Sequence, residues 1–433
     1  MARAEVTKSI SGYVFTWPKD GVSIKVRRIR EGREGDTKGE LTIFTNGVNP
    51  GQILRASLTF LTASTRNSMA KLLESRQPNV DWHSILDELC TTILDDTDSG
   101  EPAVTLEISD DMDIDSPGYL LEPLIAQDCP NILFGEPGSS KSTIAMLMAT
   151  IVGLGWGNNP FGWGAPISPK KILVLDWEQS EATVKYMVHR IVKGMQLGWI
   201  DFITYKHCDR PLAQCIEQVA EEIDKHKPDL TIIDSLALAV GGDLNAPQPA
   251  LEFWEAWRKL RTTSLIIAHP SKSQDENKKP SVYGSMWFHA LSRNIWRVVQ
   301  GKSDEPGIIK LALTHIKAPP FDRIREPIGI QLHHQPVDGV KWQTIATRID
   351  PSIIPDAAIV SGDNSTGDAI RTYLLRNGSK SIKDIIAAFG GEPARKKVDI
   401  ALRRLRDKGL VLHLPDGAWA WVAKYSGEEV PYA

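Results

Sequence analysis

The 433-residue sequence predicts an α/β protein whose central domain is a mostly parallel sheet covered by helices. Three observations predict this class. Nearly continuous apolar strands alternate with amphipathic helices through the middle of the chain, which is typical of a parallel sheet buried on both faces. A loop rich in glycine and serine joins one of these strands to a helix. Two linkers, one acidic and one rich in Pro, Ser and Gly, separate this region from a smaller fold on each side.

The composition excludes several classes of protein. Hydrophobic residues make up 42% and charged residues 24%, as in ordinary globular proteins. The four cysteines form no CxxC pair, so neither a zinc ribbon nor a disulfide scaffold is expected. No apolar run reaches the roughly 18 residues that span a bilayer, and the start of the chain lacks the apolar core of a signal peptide. We therefore expect a soluble cytoplasmic protein that does not enter a membrane.

Charge divides the first quarter of the chain. Residues 1–80 carry 13 Lys/Arg and 7 Asp/Glu, whereas residues 81–117 carry 12 Asp/Glu and no Lys or Arg. Self-repulsion and a Ser-Pro-Gly break predict an acidic linker over residues 99–117. An acidic tether that competes with nucleic acid for a basic surface is the alternative.

Residues 1–98 are predicted to form a small α+β domain. Alternation of apolar and polar residues predicts strands, and two helical patterns follow them. The predicted strands are Tyr13–Trp17, Ser23–Ile29 and Glu40–Phe44, and the predicted helices lie around Asn67–Ser75 and Asp81–Leu94. Five basic residues on the hairpin between the last two strands could contact phosphates of nucleic acid, but a solvated edge strand protected by charge is the commoner explanation. They are Lys25, Arg27, Arg28, Arg30 and Arg33.

The motif ILFGEPGSSKST, residues 132–143, predicts a phosphate-binding loop between a strand and a helix. Backbone N–H groups of such a loop bind phosphates, the lysine reaches the β- and γ-phosphates, and the hydroxyl after it ligates Mg²⁺. Ser140 stands where the pattern GxxxxGK[ST] has its second glycine. The predicted ATP-binding residues are Gly135, Glu136, Pro137, Gly138, Ser139, Ser140, Lys141, Ser142 and Thr143.

Two later strands end in carboxylates that such a site needs. Asp234 follows an apolar strand and is predicted to hold Mg²⁺ together with Ser142. Asp176 and Glu178 emerge from the strand that follows the helix of the phosphate-binding loop, in LVLDWEQS. Glu178 is the predicted base for the attacking water. The alternative is a surface glutamate beside an aspartate that only caps the turn.

These motifs resemble those of the RecA-like ATPases, and in particular the hexameric RepA-type, DnaB-like replicative helicases, over residues 118–335 of a predicted 118–350 domain. The resemblance implies that His269 senses the γ-phosphate. It also implies that the segment after His269, with Lys272, Lys278 and Lys279, faces a central channel and binds single-stranded DNA.

The same resemblance implies a basic finger that enters the neighbouring subunit's nucleotide site. Family members often carry a Lys-x-Arg pair there. Here Lys317 is present, but Pro319 stands where the second basic residue would fall. Arg323 and Arg325 are alternatives.

After a second linker, residues 351–364, the segment 365–433 resembles a winged helix-turn-helix domain: three helices and then a hairpin. Residues 394–408, the third helix, hold seven Lys/Arg against two Asp. Arg395, Lys396 and Lys397 lie at its N-terminal end, where a recognition helix enters the major groove of DNA. Docking of a protein partner is the alternative.

We therefore expect a homo-hexameric, ATP- and Mg²⁺-dependent DNA helicase or translocase, replicative, from a plasmid, phage or other mobile element. An ATP-switched DNA-binding regulator, or a recombinase-like filament ATPase that unwinds nothing, would need the same site. A defence or signalling ATPase is a third possibility.

Overall fold

A computed structural model of the chain describes residues 3–32, 36–46, 51–100, 103–109, 117–270, 282, 284–301, 303, 305–337, 341–354, 366–407 and 409–422. The chain divides into two compact units. Unit 1 comprises Met1–Asp115, Gln214–Lys227 and Ala256–Arg261, and unit 2 comprises Ser116–Ala213, Pro228–Glu255 and Thr262–Ala433.

Unit 1 contains an antiparallel sheet of five strands in the order β1-β2-β3-β4-β5: β1 (Glu5–Ser9), β2 (Gly12–Trp17), β3 (Val22–Glu31), β4 (Thr37–Thr45) and β5 (Gly51–Thr59). The middle three lie where alternation predicts them. The sequence analysis missed both outer strands. Most of β1 is exposed, and a bulge opposite Ile43 and Phe44 interrupts the alternation along β5.

Two helices, α1 (Ala63–Arg76) and α2 (Trp82–Ser99), share one apolar core with this sheet. Asp81 begins α2 by accepting a hydrogen bond from the backbone N–H of Ser84. The basic hairpin is partly neutralised within unit 1: Arg27 pairs with Glu221 at 2.7 Å, and Arg28 pairs with Glu40 at 2.9 Å. Arg33 lies outside the described residues.

The strands of the central part of the chain are β6 (Tyr119–Leu121), β7 (Ile125–Ala126), β8 (Pro130–Gly135), β9 (Ile172–Asp176), β10 (Ile203–His207), β11 (Leu230–Asp234), β12 (Thr263–Ala268), β13 (Asn294–Gln300), β14 (Ile308–Lys317), β15 (Ile328–Val337) and β16 (Lys341–Ile349). The helices are α3 (Lys141–Leu154), α4 (Glu181–Gly194), α5 (Leu212–His226), α6 (Leu236–Val240), α7 (Pro247–Leu260) and α8 (Met286–Leu291).

Nine of these strands form one sheet, in the order β10-β9-β11-β12-β8-β13-β14-β15-β16. The strands from β10 to β13 in this order are parallel, and β14, β15 and β16 continue the sheet antiparallel. Every residue of β8, β9, β11 and β12 is buried, as expected for strands covered on both faces. The loops after these four strands therefore meet at one edge, which we call the carboxyl edge. Strand β14 runs back and ends at the other edge, which we call the amino edge.

The C-terminal part of the chain contains α9 (Thr366–Asn377), β17 (Lys380–Ser381), α10 (Ile382–Ala388), α11 (Arg395–Asp407), β18 (Val411–His413) and β19 (Ala418–Trp421). The predicted order of three helices and a hairpin is present among the described residues. The buried stripe of α11 is the predicted one, at Val398, Ala401, Leu402 and Leu405. Within the part of the chain that the structure describes, no helix combines the length and apolar character needed to cross a membrane.

Candidate functional site at the carboxyl edge

The phosphate-binding loop connects β8 to α3. Gly135 ends β8, and an added Cβ there would lie 2.7 Å from the carbonyl oxygen of Val298 and 2.8 Å from Oγ of Ser139, so no side chain fits. Gly138 and Ser140 have φ angles of +77° and +59°, in the left-handed region. Ser140 thus adopts the conformation for which glycine is usual at this position. Serine in place of glycine therefore raises the conformational energy of the loop but leaves its backbone path unchanged.

Lys141 is the first residue of α3, and its side chain folds back over the loop. Its Nζ donates hydrogen bonds to the carbonyl oxygens of Gly135 and Glu136, both at 2.8 Å. Burial lowers the pKa of the amine, while Asp234 and Glu178 act in the opposite direction. A phosphate would offer this buried cation stronger acceptors than two neutral carbonyls.

Ser142 and Asp234 form the predicted metal site. The hydroxyl of Ser142 donates to Oδ2 of Asp234 at 2.7 Å. Asp234 is only 4% exposed. Burial raises its pKa to about 6, and the nearby carboxylates of Asp176 and Glu178 act in the same direction. Among the described residues, the carboxylate therefore lacks a sufficient cationic partner.

This donor set fits Mg²⁺. The ion prefers oxygen ligands and is usually bound through one or two protein groups plus phosphates and water. The described residues contain no cluster of three or more His, Cys, Asp or Glu that could hold a metal ion. When bound, Mg²⁺ would neutralise charge that develops on the phosphates.

Glu178 and Asp176 have different environments. Asp176 is buried, and its Oδ1 accepts hydrogen bonds from the backbone N–H groups of Glu178 at 2.8 Å and Gln179 at 2.7 Å. Asp176 therefore shapes the turn that carries Glu178. Glu178 is exposed, and its Oε1 accepts a hydrogen bond from the hydroxyl of Ser235. The geometry leaves Glu178, and not Asp176, available to a water molecule.

His269 follows β12, which lies between β8 and β11. Burial lowers its pKa, and the Lys141 charge lowers it further, so the ring is neutral near pH 7. Its Nδ1 is buried and has no hydrogen-bond partner among the described residues. The side chain thus stands at the strand end where a γ-phosphate sensor is expected. Lys272, Lys278 and Lys279 lie outside the described residues.

Gly284 and Ser285 directly precede α8. Gly284 has a φ of +104°, and an added Cβ would lie 2.6 Å from the carbonyl oxygen of Leu244. The backbone N–H of Ser285 donates to that same oxygen at 2.7 Å, and its hydroxyl caps α8.

The three finger candidates lie at the amino edge, at the end of β14 and in the loop 318–327. Lys317 donates from Nζ to the carbonyl oxygens of His289 at 2.8 Å and Ala290 at 3.0 Å. Arg325 pairs with Asp322 at 2.7 Å and Glu122 at 3.2 Å. The side chain of Arg323 is exposed and has no hydrogen-bond or ion-pair partner among the described residues.

The predicted DNA-binding end of α11 is exposed. Lys396 and Lys397 point to solvent, and Arg395 pairs with Glu392 at 3.1 Å. Arg403 and Arg404, one or two turns further along, are exposed as well. Sequence reasoning counted these two arginines but did not assign them to a site.

Ser235 lies at the carboxyl edge, and sequence reasoning gave it no role. It directly follows Asp234, so its place at a strand end was the available signal. Its hydroxyl holds the carboxylate of Glu178.

Three comparisons with known proteins bear on this site. A protein-family model described as an AAA domain matches residues 98–275. No curated protein sequence is significantly similar to the chain. Among solved structures, a KaiC-like protein from the hyperthermophilic archaeon Pyrococcus horikoshii aligns with 55% of this chain and 98% of its own, at 10% identity and a TM-score of 0.34. The AAA-domain match and the site described above together support a RecA-like P-loop ATPase core in this chain.

Proposed function

We propose that this protein is a ring-forming helicase or translocase on DNA that is driven by ATP and Mg²⁺, of the kind that replicates plasmids, phages and other mobile elements. ATP binds at the carboxyl edge. Lys141 holds the phosphates, Ser142 and Asp234 hold Mg²⁺, Glu178 activates water, and His269 contacts the γ-phosphate.

The placement of the finger candidates at the amino edge is the observation that most supports an assembly. Lys317 pairs with Ile295 in the sheet, and the neighbouring Asn294 pairs with Asn131 at the start of β8. The phosphate-binding loop begins after the other end of β8. At about 3.3 Å per residue, the six residues of β8 separate the two edges by roughly 17 Å. A lysine or arginine side chain does not reach that far.

A cation at the amino edge therefore acts on ATP only if it acts on the ATP of another copy. The two copies then contact each other head to tail, since the amino edge of one meets the carboxyl edge of the next. Such a contact is heterologous, and its repetition gives a closed ring or an open helix.

Two of the three candidate cations compete for the role of finger, because Arg325 is already paired with Asp322 and Glu122. Lys317 is already hydrogen-bonded to the end of α8, and these bonds would have to break before it reached a neighbour. Arg323 is exposed and its planar guanidinium suits phosphate oxygens. Both residues remain candidates, and the experiment separates them.

The test mixes two defective variants. Glu178→Gln subunits lack the base, and Lys317→Ala or Arg323→Ala subunits lack one finger candidate. With free exchange of subunits, roughly a quarter of head-to-tail interfaces combine an intact base with an intact finger. We expect ATPase activity to recover in the mixture for the residue that acts as finger.

Lys310→Ala is the matched control, because this lysine lies on β14 at the carboxyl edge and pairs with Glu305 at 3.6 Å. Lys310→Ala subunits that are assayed by themselves should hydrolyse ATP at the parental rate. No recovery in either mixture would contradict a finger in trans. Electron micrographs with an ATP analogue and single-stranded DNA separate a ring from a filament, and a strand-displacement assay tests unwinding.

The exposed basic face of α11 supports duplex DNA binding by the C-terminal segment. In the full-length chain, the triple change Arg395→Ala, Lys396→Ala and Lys397→Ala should weaken binding of blunt duplex DNA regardless of its sequence. Each lost phosphate contact should flatten the slope of log affinity against log salt by about 0.9. Fluorescence anisotropy over a salt series without ATP measures both effects.

Lys380→Ala with Lys383→Ala is the control, because it removes basic residues of the same segment from outside α11. Should the triple variant keep both parental affinity and parental slope, the protein-docking interpretation of this segment would replace DNA binding.

A further inference from the structure

His315 is a fully buried histidine on β14, at the amino edge and far from the nucleotide site. Its ring stacks on the indole of Trp296, with 4.2 Å between centroids and 3° between planes. Its Nδ1 accepts a hydrogen bond from the backbone N–H of Arg325 at 3.0 Å, and its Nε2 lies 2.9 Å from Oδ1 of Asn294. The mechanism described above does not use this residue.

The hydrogen bonds fix the tautomer of the ring. A backbone N–H can only donate, so Nδ1 carries no proton and Nε2 donates to Asn294. The amide nitrogen of Asn294 donates to the carbonyl oxygen of Leu124 and to Oδ1 of Asn131, both at 2.9 Å, which orients its own Oδ1 toward the ring. Burial lowers the pKa of His315 to about 4, so the ring stays neutral at physiological pH.

The residue that donates to His315 belongs to the loop 318–327, which carries Arg323 and directly follows Lys317. A second group of contacts holds the tip of this loop. Tyr119 donates from its hydroxyl to Asp322 at 2.6 Å and packs edge-on against Phe321. The loop is thus fixed at its base by a buried neutral ring and at its tip by strand β6, while Arg323 stays exposed.

We propose that His315 is a positioning residue for catalysis between subunits: its unprotonated Nδ1 holds the loop 318–327 so that a cation of this region meets the nucleotide of a second copy. The inference rests on the proposed function, because it requires a finger that acts in trans. His315 itself touches neither nucleotide nor water.

Two substitutions distinguish a role of His315 in positioning the loop 318–327 from a general contribution to the stability of the core. The side-chain oxygen of asparagine stands close to where Nδ1 of histidine stands, whereas the amide nitrogen of glutamine stands close to Nε2. His315→Asn therefore keeps the acceptor for the loop and loses the bond to Asn294. His315→Gln keeps the bond to Asn294 and loses the acceptor for the loop. Both variants lose the stacked ring, so both should unfold at a lower temperature.

We expect His315→Gln to lower kcat for ATP about tenfold with KM unchanged, because a displaced loop would place the finger less well against the transition state; tenfold is about the effect of one hydrogen bond. His315→Asn should keep kcat within about twofold of the parent. In a background that already lacks the acting finger, His315→Gln should lower kcat no further. Equal kcat values for the two variants, whether both parental or both reduced, would overturn the inference.

Tyr119→Phe is the second variant, for the case in which His315→Gln does not fold. It removes the hydrogen bond at the tip of the loop and leaves the core intact. If this variant has a lower kcat with KM unchanged, the position of the loop 318–327 matters for catalysis. If its kcat is parental, the inference is overturned. If Lys317→Ala and Arg323→Ala both hydrolyse ATP at the parental rate, the finger in trans fails instead, whatever the His315 variants do.

Discussion

The two edges of the nine-stranded sheet handle buried polar groups in opposite ways. At the carboxyl edge, Asp234, Asp176 and Lys141 are charged groups whose pKa values burial shifts toward the neutral form. At the amino edge, Asn294 and His315 are neutral groups joined by hydrogen bonds. The first edge is left in need of a cation and an anion, while at the second the side-chain polar atoms of Asn294 and His315 find their partners within the protein. This difference distinguishes a site prepared for a ligand from a scaffold that holds a loop.

The largest expected effect comes from the carboxyl edge. Glu178→Gln keeps the size of the side chain and the hydrogen bond from Ser235 but cannot take a proton. A general base contributes about 10²- to 10⁴-fold to a rate, so kcat should fall by that order while ATP still binds. Single-turnover hydrolysis and binding of a fluorescent ATP analogue measure the two quantities.

Asp176→Asn is the informative comparison for Glu178→Gln. Its side-chain oxygen still accepts from the backbone N–H groups of Glu178 and Gln179, so most activity should remain. A parental rate for Glu178→Gln together with an inactive Asp176→Asn would mean that Asp176 is the base and that the assignment at this edge is wrong.

The sequence predicted the parallel core well because burial on both faces leaves a local trace. The apolar runs at Ile132–Phe134, Ile172–Leu175 and Leu230–Ile233 each lie inside an observed strand. The candidate catalytic side chains could be proposed for a related reason, since they follow such runs directly. The order of the strands left no such trace, because it depends on pairing between distant segments.

The His315 network could not be predicted for the same physical reason. Asn131, Asn294 and His315 lie on three different strands, and nothing in their own sequence neighbourhood says that they meet. The distance between Lys317 and the phosphate-binding loop was also hidden, because it follows from the return of β14 to the amino edge. The finger in trans was thus predicted from a family resemblance alone. The register of β13 and β14 adds a geometric argument for it.

The next effect is a pH dependence of the carboxyl edge. The pKa of Asp234 is raised from 3.8 to about 6 in the folded chain. The folded state therefore binds this proton more tightly than the unfolded state. The stabilisation is complete below pH 3.8 and is lost as the pH rises through about 6.

In the absence of nucleotide, Asp234→Asn should thus stabilise the chain at pH 7.5, by up to about 3 kcal/mol from the size of the shift, and should matter little at pH 4. Urea unfolding at the two pH values measures this. Magnesium-dependent ATP binding should weaken in the parent below about pH 6, where the carboxyl becomes protonated. A stabilisation by Asp234→Asn that is the same at both pH values would contradict the raised pKa.

The smallest effect concerns the loop itself. Ser140 holds a φ of +59° and a ψ of +25° at the start of α3, where a side chain costs about 1–2 kcal/mol relative to glycine. Ser140→Gly removes this cost but adds freedom to the unfolded chain, which takes back about 0.4–1 kcal/mol. We expect a net gain of roughly 0.5 kcal/mol in the free energy of unfolding. Ser139→Gly is the matched control: Ser139 does not have a positive φ, so the same change there relieves no backbone strain. If both variants shift the urea midpoint alike, the left-handed conformation of Ser140 stores no strain.

If Ser140→Gly also tightens ATP binding, the serine side chain limits how closely the loop approaches the phosphates, and glycine at this position improves the carboxyl edge as a phosphate site.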